Sequence, residues 1–141
     1  MDQFLTFIAN NQLLAMLWLA IATLLVVSII KSKLSKINEI NPHELTLLVN
    51  RENGVIVDIR NDGEFKKGHI IGSKSLALDK INENNFQGLE NSKDKPIIVV
   101  CTAGISAVKA ANALAKAGFE KVSVLKGGFN AWQSANLPIA K

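Results

Sequence analysis

The chain has 141 residues, of which 48% are hydrophobic and 20% are charged, and it contains one cysteine. This length fits one domain with an appendage. All 16 Lys and Arg residues and 11 of the 12 acidic residues lie in 31–141, which gives this part a net charge of 16 − 11 = +5. Its charges are mixed in sign, so the composition does not favour nucleic-acid binding. A single cysteine excludes an internal disulfide and fits a reducing compartment.

An apolar run covers residues 13–30, in which only Thr23 and Ser28 are polar, and both can bond back to helix carbonyls. At about 1.5 Å per residue, a helix of this length nearly spans a hydrocarbon core of roughly 30 Å. A cleaved signal peptide fits less well, because no base precedes the run and no Ala-x-Ala follows it. A buried core helix would have a polar side, and this run has none. We therefore predict a membrane anchor in 1–30, with a transmembrane helix at about 12–30.

Lysines follow the apolar run at positions 31, 33 and 36. By the positive-inside rule they belong on the cytosolic side of the membrane. The sequence thus predicts a single-pass protein of the cell membrane (inner or plasma), with a basic linker at 31–38 and a cytoplasmic domain at 39–141.

Strand and helix signals alternate through the predicted domain. Asn41 followed by Pro42 is typical of a helix start, and Gly118 is a candidate helix C-cap. β-Branched runs predict strands buried on both faces. The predicted strands are Ile37–Ile40, Val55–Ile59, Ile97–Val100 and Val122–Leu125, and the predicted helices begin at Pro42, span Ser106–Ala117, and run from Gly127-Gly128 through Trp132. This order indicates parallel βαβ units, that is, an α/β fold with a central, mostly parallel sheet flanked by helices.

The only cysteine, Cys101, comes directly after a predicted strand and just before a helix. Ligands of open parallel sheets bind beyond the carboxyl ends of the strands. The helix dipole and the amides of the intervening loop would stabilise a thiolate there. Gly104 lets the backbone approach a ligand closely. Cys101 is therefore the candidate nucleophile, with a binding loop of Thr102, Ala103, Gly104, Ile105 and Ser106; the alternative is a buried, inert cysteine.

A cysteine held by amides can attack sulfur or phosphorus. A phosphatase needs an arginine in the loop to clamp the phosphoryl group. No arginine follows Arg60 in the chain, so the sequence disfavours phosphatase activity.

Four segments in 37–137 resemble the single-domain rhodanese-like sulfurtransferases. They match an Asp-x-Arg strand end, a Glu-Phe-x-x-Gly-His-Ile-x-Gly-Ala signature, a Cys-x-x-Gly-x-Arg loop and a Gly-Gly-x-x-Ala-Trp end. In this chain the segments are Val57–Arg60, Glu64–Ser73, Cys101–Ser106 and Leu125–Trp132. Each is weak alone, but their order and spacing are typical of the family.

The resemblance implies a rhodanese-like fold and ping-pong transfer of sulfane sulfur through a Cys101 persulfide, with no metal or organic cofactor. The donor would be thiosulfate or a protein or thiol persulfide, and the acceptor a thiophile. Ser106 departs from the pattern, because thiosulfate-using members often carry arginine there. Loss of that charged hydrogen bond would reduce the stabilisation of bound thiosulfate by about 1.5–3 kcal/mol.

Other residues of the matched segments receive less definite roles. Asp58 and Arg60 are candidates either for contact with the substrate or for bracing the loop. We expect His69 to be a structural hydrogen-bonding residue and Glu64 to be structural or at the surface. Lys109 should be solvated, and the aromatic residues expected in the core are Phe119, Phe129 and Trp132.

A second hypothesis is a membrane-tethered interaction module that uses the same fold with little or no catalysis. The missing loop arginine motivates it. The anchor fits both hypotheses, since it positions an enzyme or an adaptor at the membrane. In either case the membrane itself and a membrane protein are candidate partners.

Overall fold

A computed structural model describes residues 1–34 and 37–141. The chain divides into two compact units, Met1–Lys36 and Ile37–Lys141. The helices are α1 (Asp2–Asn10), α2 (Gln12–Leu34), α3 (Pro42–Glu52), α4 (Asp62–Lys67), α5 (Leu78–Asn82), α6 (Ile105–Lys116) and α7 (Gly128–Ser134). The strands are β1 (Asn38–Ile40), β2 (Val55–Asp58), β3 (His69–Ile70), β4 (Lys74–Ser75), β5 (Ile97–Val100), β6 (Val122–Leu125) and β7 (Ile139–Ala140).

The first unit is a pair of helices, α1 and α2, joined at Asn11, whose side-chain amide donates to the Phe7 carbonyl over 3.0 Å. Within α2 the span Gln12–Ile30 has the length and composition of a membrane-crossing helix. Its leucine, isoleucine and valine side chains are exposed, unlike those of a soluble core helix. The Thr23 hydroxyl donates to the Leu19 carbonyl over 2.7 Å, which satisfies it inside the apolar helix. The unit thus supplies one apolar N-terminal helix suited to a membrane anchor or a signal sequence.

The predicted basic linker, 31–38, is only partly described. Helix α2 continues to Leu34, and β1 begins at Asn38. Residues 35 and 36, and with them the third predicted linker lysine, lie outside the described residues.

The second unit is built on a five-stranded parallel sheet in the order β1-β6-β5-β2-β4. A hydrophobic cluster lies on each face of the sheet, and β5 contributes to both because side chains alternate along a strand. Ile97 and Val99 pack with residues of α5 and α6, whereas Ile98 and Val100 pack with residues of α3 and α7. The predicted α/β class, a parallel sheet flanked by helices, is confirmed. A separate antiparallel pair, β3 with β7, was not predicted.

The predicted N-cap of α3 is confirmed at Asn41, and the predicted C-cap of α6 differs by one residue. The Asn41 side chain accepts from the Glu44 N–H over 2.9 Å, and the Glu44 carboxylate accepts from the Asn41 N–H over 2.8 Å, which is a capping box. Helix α6 ends at Lys116 with Ala117 as its C-cap, one residue before the predicted Gly118. Gly118 adopts φ +98°, and the N–H groups of Gly118 and Phe119 donate to the Ala115 and Leu114 carbonyls, as in a Schellman motif.

Several predicted boundaries were wrong by one or two residues. β1 lacks Ile37, and β2 ends at Asp58, although the Ile59 N–H still donates to the Val100 carbonyl over 2.9 Å. Helix α6 begins one residue early, at Ile105, and α7 continues past Trp132 to Ser134. The short elements α4, α5, β3, β4 and β7 were missed, because two to six residues carry too little periodicity to be recognised.

The start of α7 is fixed against the backbone that follows β5. The Phe129 N–H donates to the Cys101 carbonyl over 2.7 Å, and the Asn130 N–H donates to the Thr102 carbonyl over 3.1 Å. This approach requires glycine at 128, where φ is +60° and an added Cβ would lie 2.7 Å from the Thr102 carbonyl carbon. Gly128 therefore determines how closely α7 supports the cysteine loop.

Replacing Gly128 with alanine should lower the free energy of unfolding, both through the left-handed dihedral and through the clash with the loop. Gly88→Ala is the matched control, because Gly88 has φ +86° and nothing within 4 Å of an added Cβ. The control should lose about 1–2 kcal/mol from the dihedral alone, and Gly128→Ala clearly more. Urea unfolding of the protein in detergent measures both. Equal losses would contradict the proposed clash.

Candidate active site

Cys101 lies at the carboxyl end of β5, the middle strand of the sheet. It is 6% exposed. Its Sγ accepts a hydrogen bond from the Gly104 N–H over 2.9 Å. Gly104 is the N-cap of α6 and adopts φ +92°, a conformation that glycine tolerates and that turns its amide toward the sulfur. The thiol thus lies at the start of a helix, where amide dipoles favour negative charge.

The loop residues beyond Cys101 differ in exposure. Thr102, Ala103 and Ser106 are exposed, and Ile105 is 83% exposed at the first position of α6. Ala107, the third residue of α6, is fully buried. The loop therefore presents its side chains outward while its backbone holds the sulfur.

Asp58 and Arg60, at the end of β2, form a buried ion pair. Arg60 Nη2 lies 2.8 Å from Asp58 Oδ2, and Arg60 Nε lies 3.0 Å from Asp58 Oδ1. Arg60 Nη2 also donates to the Gly68 carbonyl over 2.8 Å, and the guanidinium lies 4.0 Å from the centroid of the Phe129 ring. Of the two roles left open by the sequence, these contacts fit bracing of the scaffold.

A cleft of about 360 Å³ opens beside Cys101. All the predicted loop residues except Gly104 line it, and Arg60 lines it as well. Four further lining residues were not predicted to belong to the site: Ile59, Asn61, Glu64 and Leu78.

Glu64 is the most consequential of the missed residues, since it brings a half-buried carboxyl group to the cleft. The Asn61 side chain accepts from the Glu64 N–H over 2.8 Å, and this cap begins α4. The signal that could have located Glu64 was therefore an Asn three residues before it, shortly after the end of β2.

The remaining candidates do not line the cleft beside Cys101. His69 donates through Nδ1 to the Phe65 carbonyl over 2.8 Å and stacks on the Phe65 ring at 3.8 Å, a structural role. Phe119, Phe129 and Trp132 are at most 5% exposed, and Lys109 is exposed, in agreement with the sequence.

Comparison with known proteins supports the fold that the matched sequence segments predict. Residues 41–135 match the family model of the rhodanese-like domain. The uncharacterized protein YibN of Escherichia coli (strain K12) is 41% identical over 141 residues, covering 100% of this chain and 99% of that protein. The thiosulfate sulfurtransferase GlpE of Shewanella oneidensis is 38% identical over 105 residues, covering 73% of this chain and 99% of that protein.

Among solved structures, the BH2092 protein from Bacillus halodurans superimposes with a TM-score of 0.65 at 31% identity, covering 82% of this chain and 83% of that one. The family model, the GlpE relatives and this structural similarity agree with the four matched sequence segments. The chain therefore belongs to the rhodanese-like domain family.

Proposed function

We propose that this protein is a membrane-anchored sulfurtransferase that carries sulfane sulfur as a persulfide on Cys101. The observation that carries the proposal is the hydrogen bond from the Gly104 N–H to Cys101 Sγ, made at the end of a central strand and beside an open cleft. The similarity to GlpE sulfurtransferases supports the same chemistry.

The reaction has two halves. The Cys101 thiolate attacks the outer sulfur of a donor, forming a new S–S bond while the donor's bond to that sulfur breaks; with thiosulfate, sulfite leaves with the bonding pair. The amide of Gly104 and the first turn of α6 stabilise the negative charge on the persulfide. An acceptor nucleophile then attacks the outer sulfur, and the Cys101 thiolate is released.

The charges of the cleft favour thiol-based substrates over thiosulfate. Position 106 provides a hydroxyl where an arginine would bind an anion. The guanidinium of Arg60 is already paired with Asp58, and Glu64 adds a carboxyl group. Among the described residues that line the cleft, the only arginine is Arg60, which is paired. A dianionic donor would therefore meet the carboxyl group of Glu64 without an unpaired arginine to bind it. A thiol or protein persulfide carries one negative charge at its terminal sulfur, so it meets less of this repulsion than a dianion does.

The membrane location rests on the apolar span Gln12–Ile30 and on the lysines that follow it in sequence. The positive-inside rule supports a cytoplasmic position for the rhodanese-like domain. There the reducing environment keeps the single cysteine free to react.

Steady-state turnover of a sulfane donor, with cyanide as acceptor, tests the activity. The wild-type protein should be active and Cys101→Ser inactive, because the hydroxyl cannot carry sulfane sulfur. A second variant, Cys101→Ser with Thr102→Cys, moves the thiol by one residue and should also be inactive, because the Gly104 amide no longer faces it.

Two outcomes would contradict the proposal. Equal activity of wild type and Cys101→Ser would remove the role of the thiol. Equal inertness with thiosulfate and with thiol persulfides would leave the fold as an interaction module, with Cys101 serving no transfer chemistry.

Ser106→Arg should restore the missing charged contact and raise kcat/KM for thiosulfate by about ten- to a hundredfold. Ser134→Arg is the matched control, since Ser134 is exposed at the end of α7 and does not line the cleft. It adds the same charge and should leave kcat/KM nearly unchanged. A gain shared by both variants would indicate a nonspecific effect of net charge.

Reporter fusions after Lys141 test the orientation in a bacterial host. We expect a green fluorescent protein fusion to fluoresce and an alkaline phosphatase fusion to be inactive, because the lysines hold the C-terminal part in the cytoplasm. Replacing Lys31, Lys33 and Lys36 with glutamine should weaken this preference. The opposite reporter pattern would overturn the predicted topology.

A further inference from the structure

We propose that the exposed side of α6 is a docking groove for a protein substrate that presents a cysteine beside acidic residues. The inference rests on the proposed function, since it names the class of partner that exchanges sulfur with Cys101. It concerns a surface that the family resemblance does not address.

The first observation is a pair of exposed aliphatic side chains on the solvent side of α6. Ala107, Ala110, Ala111 and Leu114 bury one side of the helix against the sheet. The opposite side carries Ile105 and Val108, three positions apart and exposed by 83% and 37%. The two side chains therefore lie next to each other on the solvent side. These two adjacent aliphatic groups give a bound partner apolar surface to bury.

The second observation is continuity with the reacting sulfur. A groove of about 540 Å³ follows this side of α6 and includes Ile105, Val108, Lys109 and Lys116. Ile105 also lines the cleft of Cys101. A chain bound along the groove would thus pass over Ile105 and reach the cleft, which places one of its side chains beside the sulfur.

The third observation is charge. The groove has two lysines, and none of the described residues that line it is acidic. From Ile105 to Lys116 the helix rises about 16 Å, the span of about five extended residues. The groove therefore complements a short peptide segment with carboxylates spaced along it. A small donor such as thiosulfate is too short to contact both the cleft and Lys116.

The transfer step within this complex is balanced. The partner's cysteine thiolate attacks the outer sulfur of the Cys101 persulfide and forms an S–S bond with it. The S–S bond to Cys101 breaks, its electron pair stays on Cys101 as a thiolate, and the partner leaves as a persulfide. No oxidant or reductant is consumed.

Two synthetic peptides provide the test, each with one central cysteine and leucine next to it, flanked by glutamates in one and lysines in the other. The full-length protein in detergent is first loaded with sulfur, and the rate of transfer to each peptide is followed by mass spectrometry. The acidic peptide should react about tenfold faster at low salt, with the difference shrinking as salt increases.

Lys109→Glu with Lys116→Glu should reverse the peptide preference and leave turnover with cyanide unchanged. The matched control is Lys95→Glu with Lys121→Glu, which makes the same charge change. Both lysines are exposed near the amino ends of β5 and β6, whereas Cys101 follows the carboxyl end of β5. The control should keep the preference for the acidic peptide.

Equal rates for both peptides, or a reversal by the control pair as well, would overturn the docking groove while leaving sulfur transfer intact. Self-association that Lys109→Glu with Lys116→Glu abolishes would also overturn it, by assigning the groove to a second copy of the chain. Failure to load Cys101 at all would instead overturn the proposed function, and the groove with it.

Discussion

The site depends on the hydrogen bonds between the first turn of α7 and the backbone of Cys101 and Thr102. The carbonyl groups of both residues accept from α7 amides, at 2.7 and 3.1 Å. These bonds pair the carbonyl groups just after β5 with amide groups in the first turn of α7. Both kinds of group are costly to bury without a partner. They fix the direction in which the chain leaves β5, so that the Gly104 N–H reaches back to the sulfur. Gly128 makes this approach sterically possible.

Arg60 connects the start of α7 to the end of β2. The Phe129 amide binds the Cys101 carbonyl, while the Phe129 ring lies under the Arg60 guanidinium. Asp58 and the Gly68 carbonyl complete the contacts of Arg60. A buried ion pair of this kind is expensive to break from one side, since the remaining charge is left without a partner. Arg60 is therefore paired within the scaffold, and Ser106 supplies no second cation to the cleft.

Much of this arrangement could be predicted from the sequence. The β-branched runs predicted the central strands, Asn41-Pro42 predicted the start of α3, and the position of Cys101 between a strand and a helix indicated the candidate site. The missed features are nonlocal or short. The contact of Arg60 with Gly68 and Phe129 depends on residues far apart in the chain, and α4, which carries Glu64 to the cleft, has six residues.

Mass spectrometry of the intact protein after exposure to thiosulfate and to a small thiol persulfide tests the central claim most directly. A persulfide should appear as a gain of about 32 Da on Cys101, more readily from the thiol persulfide than from thiosulfate. It should disappear on addition of cyanide and be absent from Cys101→Ser. No gain from either donor, or an equal gain on Cys101→Ser, would contradict sulfur transfer through this cysteine.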